Sequence, residues 1–148
     1  MPPQQNLSTP AYNKKVIERF QQALARSMRG EHVELEQWFC EDAVWHLPHS
    51  TTRMIDSADL HGRATIVAMM REGVAQFYEP ATIHFDCHHL TAEEDRVHLH
   101  FTMRARTSRG QHYENRYQTL FVLRGGRIAE AWEYLDTALL FSLFTDST

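Results

Sequence analysis

The apolar residues of this chain change their period at Pro80, and that switch restricts the fold more than any other feature of the sequence. Upstream, they recur at helical spacing. Tyr12, Val16, Phe20, Leu24 and Met28 fall one turn apart, and Ile66, Val67, Met70, Val74 and Phe77 form a second such stripe. Downstream they alternate, through Ile83, Phe85 and Cys87, then Val97, Leu99, Phe101 and Met103, then Tyr113, Tyr117 and Phe121. A period of two marks strands with one covered face. Helices gathered before a run of strands imply an α+β domain in which a sheet curls over helices, rather than alternating βαβ units.

Local signals divide the two halves. Thr9 and Pro10 suit a helix start, because the Thr hydroxyl accepts from free N–H groups and proline fits the first turn. That helix is predicted to run to about Arg29, with Gly30 ending it in a left-handed conformation. A short second helix is expected over 33–39, a strand over 43–47 ending at Pro48, a polar loop to Asp59, and a third helix over 62–78. Four strands follow, joined by turn-prone segments at 92–95, 108–110 and Gly125–Gly126, which predicts an antiparallel meander. Asp136 is placed to cap a terminal helix over 137–144. Residues 1–10 read as a flexible lead and 11–148 as a single domain with one core.

Charge excludes some functions. With 15 Lys and Arg against 19 Asp and Glu, the net charge is -4, and there is no basic run to follow a phosphate backbone, so nucleic acid is not an expected partner. Nothing approaches the ~20 apolar residues of a membrane span. Residues 1–10 lack the charged start and apolar stretch of a secretory signal, so the expected location is cytoplasmic. Cys40 and Cys87 lie in different elements and are expected to be reduced and buried rather than bridged or zinc-bound. Gly125–Gly126 is a hairpin turn without a following helix, so it is no phosphate loop, and no cofactor is expected.

Three segments carry a family likeness. Tyr113 to Tyr117, Gly126-Arg127-Ile128 and Glu133-Tyr134-Leu135-Asp136 resemble the last two strands of the SnoaL-like branch of the NTF2-like superfamily. Glu41 to Pro48 is similar to that branch's first strand, and His61-Gly62-Arg63 to the start of its third helix. The resemblance implies a cone-shaped fold, a pocket for a small hydrophobic or aromatic metabolite, and pairing of two copies through the outside of the sheet, where Trp132 and Tyr134 fall. It does not carry over the chemistry of every branch. The catalytic Asp of ketosteroid isomerases falls at Leu47, and their oxyanion-hole Tyr and Asp at Phe20 and Thr119. The early Arg and Asp of limonene-epoxide hydrolases fall near His100 and Thr102. Phenazine-biosynthesis proteins are locally more similar: their acid/base Glu falls on Glu133 and their pocket Tyr on Tyr113, although their pocket His corresponds to Met69.

The residues themselves point to the same strand. Ala131, Glu133 and Leu135 share a face, and a carboxylate between apolar neighbours is out of place on a solvated surface. If the face lines a cavity, desolvation raises the Glu133 pKa and equips it for acid/base catalysis; otherwise Glu133 pairs with Arg116 or Arg127. Tyr113, Asn115, Tyr117 and Thr119 set polar groups into an otherwise apolar wall, with Trp45, Phe20, Met69 and Phe101 setting the cavity's volume. His46 is a second catalytic candidate, which strict alternation turns outward with Trp45 facing in unless the strand bulges. The histidines at 88, 89, 98 and 100 read as part of a polar outer face, not a metal site. Arg53 and Met54, in the 49–59 loop, edge the expected cavity mouth. Two functions are thereby predicted: a cofactor-independent isomerase, cyclase or lyase, or a non-catalytic ligand-binding or dimerisation module.

Overall fold

The computed structural model describes residues 9–144. Helix α1 (Pro10–Met28) starts as its residues dictate, with the Tyr12 N–H donating to Thr9 Oγ1 at 3.2 Å. Thr9 and Pro10 thus belong to the helix start rather than to a flexible lead; the expectation for residues 1–8 lies outside the described residues. Val16, Ile17, Phe20 and Leu24 bury one face of α1, while Tyr12 stays largely exposed.

The expected second helix over 33–39 is a single 3-10 turn, Glu36–Trp38. Strand β1 (Phe39–His46) claims the residues that would have extended it, because Phe39 pairs with Ile128 and packs fully buried. After a 3-10 turn at His49–Arg53, a short strand β2 (Asp59–His61) pairs antiparallel with β1 where sequence suggested only loop. The next helix is interrupted: α2 (Arg63–Ala68) passes through a π-helical turn, Met69–Gly73, into α3 (Val74–Phe77).

Strands β3 (His84–Glu93), β4 (Arg96–Arg106), β5 (His112–Arg124) and β6 (Arg127–Leu135) form the predicted meander. Gly125 and Gly126, both at positive φ, make its last turn tight enough to join β5 directly to β6. Helix α4 (Thr137–Phe144) closes the described chain, with the Leu139 N–H donating to Asp136 Oδ1 at 3.1 Å. The sheet order is β2-β1-β6-β5-β4-β3. It is not wholly antiparallel: β1 and β6 run parallel, a pairing that requires a long crossover, here supplied by the helices and the meander between them. Register shifts in the β1–β6, β3–β4 and β5–β6 pairs bend the sheet around its helices.

Phe20 is the centre of the core. Its ring lies 5.4 Å from Phe39, 6.0 Å from Phe121 and 6.4 Å from Trp45, so α1, β1 and β5 are locked by one side chain. Cys40 is buried as expected, but Cys87 is exposed, because β3 is the sheet edge that α1 covers incompletely. Both thiols are free. Among the described residues, no helix is long and apolar enough to cross a membrane.

Candidate active site

The site forms where the β1–β6 pairing runs out. That pairing ends at His46–Trp132, so Glu133 sits one residue past the last partner, with Thr119 opposite it on β5. Beyond this point β1 gives way to Leu47 and Pro48, and the sheet parts from its neighbour to leave a hollow. The hollow has two lobes, of about 170 Å³ and 120 Å³. The larger is walled by α1, α2 and the inner faces of β1, β3 and β4; the smaller by the 3-10 turn at His49–Arg53, α3 and α4. Leu47, Met69, Tyr78, Tyr117 and Glu133 line both.

Glu133 has no hydrogen-bond or ion-pair partner among the described residues. Its side chain keeps some accessible surface, and that surface fronts the two lobes. Burial among apolar groups raises its pKa from 4.5 to about 7, with desolvation as the cause. The arginines that might have neutralised it are elsewhere: Arg116 shares the outer face with Thr102, and Arg127 sits at the β5–β6 turn. Glu133 therefore divides between charged and neutral forms near neutral pH.

Two phenols, Tyr78 and Tyr117, line the lobes' junction, and a third, Tyr113, stands behind Tyr117. Tyr113 and Tyr117 are hydrogen-bonded hydroxyl to hydroxyl, and Tyr78 couples to both, its ring 5.0 Å from that of Tyr113. Burial pushes all three pKa values up, and the Glu133 charge adds to the rise, so the phenols remain neutral hydrogen-bond donors. Asn115 orders them. Its Nδ2 donates to Tyr113 Oη at 3.1 Å and to the Asp136 carbonyl at 3.0 Å, while its Oδ1 accepts from the Arg116 N–H at 2.8 Å and the Asp136 N–H at 3.2 Å. With its amide so occupied, Asn115 ties the β6–α4 junction to the tyrosine cluster.

Of the site residues expected from sequence, Glu133, Trp45, Met69, Phe101, Tyr117 and Leu135 line the lobes. Tyr113 and Asn115 stand behind Tyr117, Thr119 is buried beside Glu133 across the strand pair, and Phe20 belongs to the core behind Trp45. His46 is not in the site. The β1 register shift falls between Phe39 and Val44, before His46, so alternation holds at the strand end and the imidazole faces outward. There its Nδ1 lies 2.7 Å from Asp59 Oδ1 and its ring stacks on Trp132 at 5.2 Å.

Tyr78 and Leu47 were not anticipated. Tyr78 follows the last turn of α3 in an extended conformation that a helical stripe does not describe; its signal was an aromatic residue just before the Pro80 boundary. The 49–59 loop edges the hollow as expected, through Thr51, Met54 and Ile55, and Arg53 lies 5.3 Å over the Phe141 ring, clasping the loop to α4. Among the described residues, no three His, Cys, Asp or Glu side chains are placed to hold a metal ion.

A curled mixed sheet closing a small apolar chamber around one ionisable carboxyl defines a pocket-bearing α+β domain of the NTF2-like fold. The chain belongs to the SnoaL-like domain family, whose model matches residues 17–131. No curated protein matches the chain in sequence. Solved structures with the same fold include an NTF2-like protein of unknown function from Burkholderia pseudomallei K96243. It is 18% identical, with a TM-score of 0.77, covering 90% of this chain and 98% of that one. A protein from Jannaschia sp. CCS1, provisionally named a SnoaL-like polyketide cyclase, is 14% identical at a TM-score of 0.73, covering 94% and 95%. A protein of ketosteroid-isomerase-like fold from Catenulispora acidiphila DSM 44928 is 16% identical at a TM-score of 0.65, covering 84% and 91%.

Proposed function

We propose that this protein is a cofactor-independent acid/base enzyme, an isomerase, cyclase or lyase, acting on a small hydrophobic carbonyl compound. The observation that carries the reading is the unpaired, desolvated Glu133 carboxyl at the junction of the two lobes, beside neutral phenols. In its charged form Glu133 takes a proton from a carbon next to a carbonyl. The C–H electron pair forms a C=C bond as the carbonyl becomes an enolate, and a phenol donates to the resulting oxygen. Tyr117 is the preferred donor, because it is the member of the hydroxyl-bonded Tyr113–Tyr117 pair that lines both lobes beside Glu133. Glu133 then returns the proton to the same or another carbon, or a leaving group departs. A carboxyl with a pKa near the working pH suits both directions of transfer.

The outer sheet face, with Trp132 half-buried and Tyr134 exposed, supports the further reading that two copies pair there. The catalytic proposal is tested by incubating the protein in deuterated buffer with a panel of aryl alkyl ketones and following α-carbon exchange by NMR. Exchange faster than buffer in wild type and absent in Glu133→Gln is expected. Equal rates in the two proteins leave only a binding module.

A further inference from the structure

Gly73 sits in the π-helical turn at φ -64°, an ordinary helical value that any residue adopts, so the glycine is not there for conformational freedom. Inside a helix it costs about 1 kcal/mol relative to alanine. Its role is spatial: a Cβ at this position would overlap the Met69 thioether sulfur. Met69 is therefore drawn back over Gly73. The same Met69 lines both lobes, as Glu133 does, and stands where they meet. One π turn carries both residues, so the pose of the Met69 side chain beside the two lobes is tied to the missing Cβ at Gly73.

The lobes differ in size and walls. The inner one, of about 170 Å³, is walled by rigid elements and by the rings of Trp45, Phe85 and Phe101. A cavity of about 150 Å³ is enough for a benzene ring. The outer one, of about 120 Å³, is walled by Thr51, Met54, Ile55 and Leu140 and suits a short aliphatic chain. We propose that the ligand is bipartite: an aromatic ring in the inner lobe, a short alkyl chain in the outer lobe, and between them the carbonyl with its acidic C–H, level with Glu133. Met69, held back by Gly73, is the residue that admits such a molecule across the junction. This inference rests on the acid/base reading of Glu133 for the position of the carbonyl, but not for the division into lobes.

The test uses benzene, n-butylbenzene, n-hexylbenzene and butyrophenone, with binding measured by calorimetry. Wild type is expected to bind n-butylbenzene at least about tenfold more tightly than benzene, through the added methylenes. Gly73→Ala, by pushing the thioether into the passage, erases that preference while benzene still binds, and Gly73→Ala/Met69→Ala restores it. If Gly73→Ala does not fold, Met69→Ala alone decides: wild type prefers n-butylbenzene to n-hexylbenzene by about tenfold, and the variant loses that discrimination. Wild-type affinities that are equal for benzene and n-butylbenzene, or a preference that Gly73→Ala leaves unchanged, overturn the bipartite site; so does undiminished discrimination in Met69→Ala. Butyrophenone separates this inference from the catalytic one. Preferential binding of n-butylbenzene without α-carbon exchange in butyrophenone upholds the two lobes and sinks the acid/base reading. Exchange without that preference does the reverse.

Discussion

Glu114 and Glu133 are the same residue type on adjacent strands, yet they lie on opposite faces of one sheet and have opposite surroundings. On the outer face, Glu114 accepts from Arg104 Nε at 2.6 Å, and the same guanidinium reaches Asp86 at 3.1 Å, so charge is paired and wet. On the inner face, Glu133 has apolar walls and phenols and no cation among the described residues. The comparison shows that strand parity, not residue type, decides which carboxylate is paired on the outer face and which is buried without a partner. A carboxylate without a partner among apolar walls holds its proton to about pH 7.

The contrast can be broken most severely at Glu133. Replacing it by Gln is expected to lower turnover by roughly 10² to 10⁴, the range for losing a general acid/base group, while affinity for n-butylbenzene changes little. Comparable losses in both would mean that the side chain shapes the chamber rather than reacting in it. The same substitution sharpens the contrast in stability. The native carboxyl holds its proton up to about pH 7 and the unfolded one releases it near 4.5, so ionisation of Glu133 weakens the fold progressively as pH rises between those values. Denaturation of Glu133→Gln should lose that decline and be more stable than wild type by roughly 3 kcal/mol at pH 8. A wild-type profile flat over this window contradicts the burial argument.

Tyr117→Phe comes next. It removes the donor facing the lobes, and turnover should fall on the order of 10²-fold, with Tyr78 remaining as a weaker substitute; an unchanged rate would exclude Tyr117 as the oxyanion donor. The smallest effect belongs to the outer face. Glu114→Gln should keep the wild-type pH profile and shift the melting temperature by no more than about 3 °C, as exposed ion pairs contribute little. A pH profile in this variant that departs from that of wild type would erase the distinction between the faces.

Much of this contrast was legible in the sequence because alternation is a rigid rule. It set Glu133 with Ala131 and Leu135, turned His46 away from Trp45, and put His98 with His100 on the outer face, as the pairing register does, whereas the adjacent His88 and His89 join them only through the register shift after Cys87. What escaped lies where no period operates. The three residues of β2 are too few to alternate, and residues 39–42 became strand because β6 offered an unpaired edge that local propensity does not register. Tyr78 reached the site by leaving its helix. Asn115 looked like a ligand-binding group, but all its capacity goes to Tyr113, Arg116 and Asp136, which depends on the β6–α4 corner lying beside β5. The division of the hollow by Met69 depends on a π turn, and no simple spacing rule announces one.

The central claim is that Glu133 is desolvated and unpaired. Carbon-13 NMR of the glutamate side-chain carboxyls, with the Glu133 signal assigned by its loss in Glu133→Gln, measures this without a substrate. A titration midpoint near 7 is the expected result, and a midpoint near the ordinary 4.5 would contradict it.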